Sequence, residues 1–137
     1  MSLNRYRLNI ALVIVSLFSL SGCQTPLAYQ APSKAVYHFV AIWLNDPDDA
    51  AAREAIIEVT HSFRGIPGVL IADAGDGLAD TRPIVVSDYD IGVLILFESE
   101  AALRAYQTHP LHVQASMEVL RPNARKVRVY DFISASM

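Results

Sequence analysis

The chain has 137 residues, 11 basic against 14 acidic, a formal net charge of −3 and 53% hydrophobic residues. That length fits a single domain. An acidic balance with no patch of mixed aromatic and basic residues is a poor match to a phosphate backbone, so nucleic acid is excluded as a partner.

The first segment carries Arg5 and Arg7, then an apolar run over 8–20, then Leu20-Ser21-Gly22-Cys23. The run is too short to cross a hydrocarbon core of ~30 Å as a permanent helix. Small residues before a cleavage point let an extended backbone enter a protease cleft, and the cysteine supplies a thiol for a diacylglyceryl group. These four residues resemble the lipobox of bacterial lipoproteins. The resemblance implies lipidation of Cys23, cleavage after Gly22 and acylation of the new amino terminus, so that membrane lipid is one partner. With Gln24 rather than Asp next, the sorting pattern of Gram-negative lipoproteins implies the periplasmic face of the outer membrane. Loss of residues 1–22 leaves 9 basic residues against 14 acidic, a net charge of −5. Cys23 is the only cysteine, so the exported part must hold together by packing alone.

Residues 23–35 read as the lipidated terminus and a short proline-containing tether, 36–132 as the folded domain and 133–137 as a tail. In 36–44, Val36, His38, Val40, Ile42 and Leu44 share one face of a strand; Tyr37, Phe39, Ala41 and Trp43 share the other. Both faces are apolar. Asp46-Pro47 reads as a helix cap followed by a first-turn proline, and the helix it opens should run to Phe63 or Arg64 with Ile56, Val59 and Phe63 packed. His61 falls on the opposite, exposed side.

Gly65-Ile66-Pro67-Gly68 turns the chain into a strand over 69–74, and a small and polar connection covers 75–88. Its Asp73-Ala74-Gly75-Asp76-Gly77 lacks the ligand spacing of a calcium loop. Arg82-Pro83, followed by Ile84-Val85-Val86, reads as an extended arm over the sheet edge or a dimer seam. A third strand is expected over 89–97, again apolar on both faces. Ser99 can cap a helix carrying Leu103 and Tyr106; Pro110 interrupts or restarts it, and Val113, Met117 and Leu120 then recur at helical spacing. A last strand over 126–132 completes βαββαβ, the ferredoxin-like α+β arrangement, with helices on one face of an antiparallel sheet. Because the other face is apolar too, a homodimer joined sheet to sheet is the expected way to cover it.

Several pieces in this order are similar to the Dabb, or stress-responsive dimeric alpha/beta-barrel, domains. They are His38, Ile66-Pro67-Gly68-Val69, Tyr89-Asp90, Phe97-Glu98-Ser99, Tyr106-Gln107-Thr108-His109-Pro110-Leu111-His112 and Tyr130-Asp131-Phe132. The resemblance implies a dimer whose sheets form a barrel, with small cavities between each sheet and its helices. It also implies a role in stress response. In one plant member, a polyketide cyclase, a tyrosine and a histidine promote an aldol condensation; the matching positions here are Tyr106 and His112, with His38 matching a first-strand histidine. A further histidine of that cyclase is replaced by Ile91.

Tyr106 and His112 therefore admit three roles: family scaffold, ligand-binding pair, or acid–base pair of a cofactor-independent cyclase or lyase acting on an enolisable apolar substrate. In the last case His112 is the base and Tyr106 orients or stabilises an oxyanion. Ala115 and Ser116 leave room beside the imidazole. His109 and Pro110 support the motif at a helix junction. A site built from His38, His109 and His112 is too fold-dependent to assign a metal, and no cofactor is expected. The preferred reading is a small-molecule-binding or interaction domain; the remaining one is a structural dimer without a ligand.

Overall fold

Alternating β-branched and aromatic residues make Val36–Leu44 the first strand, β1. The computed structural model describes residues 32–135; the leader, Cys23 and most of the tether lie outside them. Among the described residues no helix is long and apolar enough to cross a membrane.

The first helix, α1, is Ala50–Ser62, and its cap is Asp49 rather than Asp46. Asp49 accepts the Ala52 N–H at 2.9 Å. Asp46 instead accepts the Asp48 N–H at 3.0 Å, a tight turn that leaves Pro47 outside the helix. A 3₁₀ turn, Phe63–Gly65, ends α1, and β2 follows as Val69–Asp76. This strand runs two residues further than expected, so Gly75 and Asp76 belong to the sheet rather than the connection. The third strand, β3, is Ile91–Phe97 and starts two residues late. Asp90 is held back by accepting the Leu44 N–H at 2.7 Å, and Tyr89 folds onto Phe39 and Trp43.

Ser99 caps α2, Glu100–Thr108, as expected, accepting the Ala102 N–H at 3.2 Å. His109 then closes α2 and caps α3, Pro110–Ala115, its Nδ1 accepting the Leu111 N–H at 3.3 Å. Beyond α3 comes a π turn, Ser116–Leu120, in which the Arg121 N–H reaches back to the Ser116 carbonyl. Pro122 accounts for it: with no N–H and a ring that crowds the carbonyl four residues earlier, it forces the preceding turn wider. One more turn, Arg121–Asn123 (α4), leads into β4, Ala124–Ile133. Val113 and Met117 face solvent, contrary to their helical spacing, because the packed side of α3 is set by Leu111 and Ala115.

All pairings are antiparallel, in the order β2-β3-β1-β4, which is the ferredoxin-like topology. The core lies between the helices and one face of β1 and β3, where Ile42, Ile95 and Phe97 meet Ile56, Phe63 and Leu103. The barrel expected from the resemblance is not formed. The sheet is open: β2 and β4 are its two outer strands and do not pair with each other, whereas closure requires every strand to be paired on both sides. Arg64 covers part of the β2 edge by donating from Nε to the Ala72 carbonyl at 2.8 Å. The β4 edge is exposed along nearly its whole length.

Candidate functional site

Two histidines and a tyrosine line a mostly apolar cavity of about 270 Å³ on the helix side of the sheet, and a carboxylate hydrogen-bonds one of the histidines. Val40 and Ile42 of β1, Val93 and Ile95 of β3 and Ile56 and Val59 of α1 form much of its wall. Val127 and Val129 of β4 line it while remaining exposed, so the cavity meets solvent along that edge. Small side chains at Ala115 and Ser116, with the widened turn after them, keep the helical wall from closing onto the sheet.

His38, Tyr106 and His112 are brought together. His38 points to the helix side because it alternates with Tyr37 and Phe39. Its cross-strand partner is Asp131, whose Oδ1 accepts a hydrogen bond from the His38 Nδ1 at 2.6 Å. Tyr106 and His112 are six residues apart, a separation that would put them on different sides of an unbroken helix. The break at His109-Pro110 returns His112 to Tyr106, with ring centroids 4.2 Å apart. Phe63 and Phe97 pack edgewise or tilted against Tyr106, at 5.5 and 5.0 Å. His109 and Pro110 do not line the cavity; they build the junction that shapes it.

Burial pushes the Tyr106 phenol far above its ordinary pKa, so it stays protonated. Burial also lowers His112 below its ordinary 6.5, opposed by the hydrogen bond to the Gln107 carbonyl. A carbonyl only accepts, so His112 Nδ1–H is the donor there, at 3.3 Å. In the neutral ring this leaves the Nε2 lone pair free. A phenol able to donate thus stands beside an imidazole able to accept, which is the requirement for moving a proton or for gripping a polar group.

Sequence reading missed Asp131, Thr60 and Gln107 at this site. Asp131 lies in Tyr130-Asp131-Phe132, and the β1–β4 register that sets it opposite His38 is a long-range fact. Thr60 is buried with its hydroxyl donating to the Ile56 carbonyl at 2.8 Å, so its polarity is hidden by its own helix. His61 is outside the cavity and donates from Nε2 to Asp73 at 3.1 Å rather than pointing free into solvent. Among the described residues no group of three or more His, Cys, Asp or Glu side chains is placed to hold a metal ion.

Residues 36–134 match the family model described as Stress responsive A/B Barrel Domain. No curated protein matches the chain in sequence. Among solved structures, a dimeric ferredoxin-like protein of unknown function from a Jannaschia species is 27% identical with a TM-score of 0.55, covering 72% of this chain and 97% of its own. A Dabb-family protein with a ferredoxin-like fold from Mesorhizobium loti is 21% identical, TM-score 0.62, covering 76% of this chain and all of its own. A hydroxynitrile lyase from Passiflora edulis is 18% identical, TM-score 0.66, covering 77% and 98%. At the last two identities the likeness is one of fold. Proteins of unknown function and an enzyme share this fold, so the fold leaves open whether this chain is an enzyme.

Proposed function

Since this chain belongs to the stress-responsive A/B barrel domain family, we propose that it binds a small, mostly apolar molecule with one polar end in the cavity between its sheet and helices. The observation that carries this is the clustering of His38, Tyr106 and His112 within mostly apolar walls. At about 270 Å³ the cavity is just below the ~300–1,000 Å³ usual for ligand pockets, which favours a compact ligand such as a short-chain phenol or ketone. Thermal denaturation of the protein with a panel of such phenols and ketones is the test. A rise in melting temperature that vanishes in Ser116→Phe, which fills the cavity, supports binding. No rise with any compound, together with a Ser116→Phe destabilised by overpacking, would leave a structural domain with a packed interior.

The second reading, proton-transfer chemistry on an enolisable substrate, is favoured by one feature: the free Nε2 of a neutral His112 beside a protonated Tyr106. With a bound ketone, His112 would take the α-proton while the Tyr106 O–H donates to the forming enolate oxygen. Turnover unchanged in both Tyr106→Phe and His112→Ala rejects it.

The assembly we propose is a homodimer in which a second copy covers the sheet face opposite the helices. The aromatic row there supports this: Tyr37 stacks on Phe132 at 4.7 Å and Phe39 tilts against Tyr130 at 6.3 Å, with Tyr130, Phe132 and Leu94 exposed. The dimeric Jannaschia protein lends further support. Export and lipid anchoring at Cys23, with Gln24 directing the chain to the outer membrane, rest on the sequence. A mass increase on the mature N-terminal peptide that is lost in Cys23→Ser supports them, and an unmodified Cys23 rejects them. The family's description is the support for a role in stress response.

A further inference from the structure

We propose that the connection between β2 and β3 is the clasp of this dimer, its apolar tip seated on the open sheet face of the second copy; the proposal rests on the homodimer reading above. Leu78, Ile84 and Val86 of the connection are 78%, 89% and 65% exposed. Three apolar side chains so placed on one loop are unusual for a wandering segment, and this one is shaped. Arg82 donates to Asp80 from Nη2 at 2.7 Å, the Ser87 hydroxyl donates to the Asp80 carbonyl at 3.0 Å, and the Val85 N–H donates to the Arg82 carbonyl at 3.0 Å. At its base the Gly77 N–H donates to the Asp90 carbonyl at 3.0 Å. Arg53 clamps the same point, donating to the Asp90 carbonyl at 2.9 Å and to Asp76 at 2.7 Å.

The arm leaves the sheet on its open side. Tyr89, its last residue but one, lies against Phe39 and Trp43, both on the face away from the helices. The open face it springs from carries exposed apolar residues of its own, Leu94, Tyr130 and Phe132. Two-fold pairing of open faces gives each arm the flank of the other copy to rest on. A membrane surface is a worse occupant. The arm springs from the Leu44 end of β1, roughly 27 Å along the strand from Val36, where the tether enters. It carries Asp80 and Asp88, and its one cation, Arg82, is already paired with Asp80.

The test uses the full chain in detergent micelles, with dimerisation followed by sedimentation and by exchange between differently tagged copies. Ile84→Asp with Val86→Asp is expected to weaken the dimer by at least about tenfold, as loss of a buried apolar anchor does, with unchanged circular dichroism. A photoreactive amino acid substituted for Ile84 is expected to crosslink to the β3 or β4 segment of the other copy. If Leu94→Asp splits the dimer while the arm variant leaves it as tight and the crosslink is absent, the clasp is overturned and the face-to-face dimer stands. A wild-type chain that stays monomeric at all concentrations overturns both. Loss of binding to phosphatidylglycerol vesicles in the arm variant, with dimerisation intact, overturns the clasp in favour of a lipid contact.

Discussion

His38 and His112 occupy one cavity but are held by different kinds of partner, and that difference is measurable. His38 donates to a carboxylate that is partly exposed, Asp131. Asp131→Asn should cost about 1 kcal/mol, the ordinary value of a half-screened bond of this type, and lower the melting temperature accordingly. It should also free the imidazole to change tautomer, visible in its ¹⁵N shifts. An unchanged melting point and tautomer would show that packing alone positions His38. His112 is the reverse case, an imidazole whose burial disfavours its charge. In the unfolded chain it titrates near 6.5 and in the folded chain below that. Between the two values only the unfolded state holds the proton, so stability falls as pH drops below 6.5 and levels off above it. Denaturant titrations from pH 5 to 8 should show a shallower slope for His112→Gln than for the parent, and identical slopes would contradict the assignment. Residue identities at this site were legible early because His38, Tyr106 and His112 stand in recognisable local patterns. Asp131 was not, because its role exists only through the pairing of two strands distant in sequence.

Among the elements, local signals succeeded where the deciding contact was local. Ser99 marks the start of α2 because its own hydroxyl reaches the Ala102 N–H. Ser99→Ala should cost about 1 kcal/mol in equilibrium unfolding. Asp46-Pro47 looked like the same kind of signal for α1, but a second acid three residues on was available, and Asp49 won because Asp46 was spent on the turn. The π turn is legible only afterwards: Pro122 sits beyond it and acts backward on carbonyls of the preceding turn. The entry to β2 shows how a local and a distant demand coincide. Gly68 has φ of 83°, and a Cβ there would stand 2.5 Å from the Ala102 Cβ of α2. Gly68→Ala should therefore destabilise by at least ~2 kcal/mol, from backbone strain plus the collision. Pairing it with Ala102→Gly should recover only the collision; full recovery would mean that the backbone is not strained.

At the scale of the whole molecule, the alternation of residues showed both faces of the sheet to be apolar, and this pattern survives in the structure as one face under helices and one aromatic face without them. It did not show how the sheet ends. An open sheet with edges β2 and β4 and a closed barrel have the same alternation along each strand; only edge pairing separates them. The long connection between β2 and β3 was likewise readable as an arm from Arg82-Pro83 and the apolar residues after it, while the internal hydrogen bonds that stiffen it were not.

Trp43, the chain's one tryptophan, is buried at the root of that arm, with Tyr89 6.2 Å from its ring and the Lys126 ammonium 3.8 Å above it. Its indole N–H has no hydrogen-bond partner among the described residues. An indole so enclosed should emit at shorter wavelength than one in water, and its emission should depend on what lies over it. The molecule thus carries its own optical gauge at the junction of sheet and arm: Tyr89→Ala, which uncovers the ring, should move the emission to longer wavelength while the far-ultraviolet spectrum stays that of the folded chain.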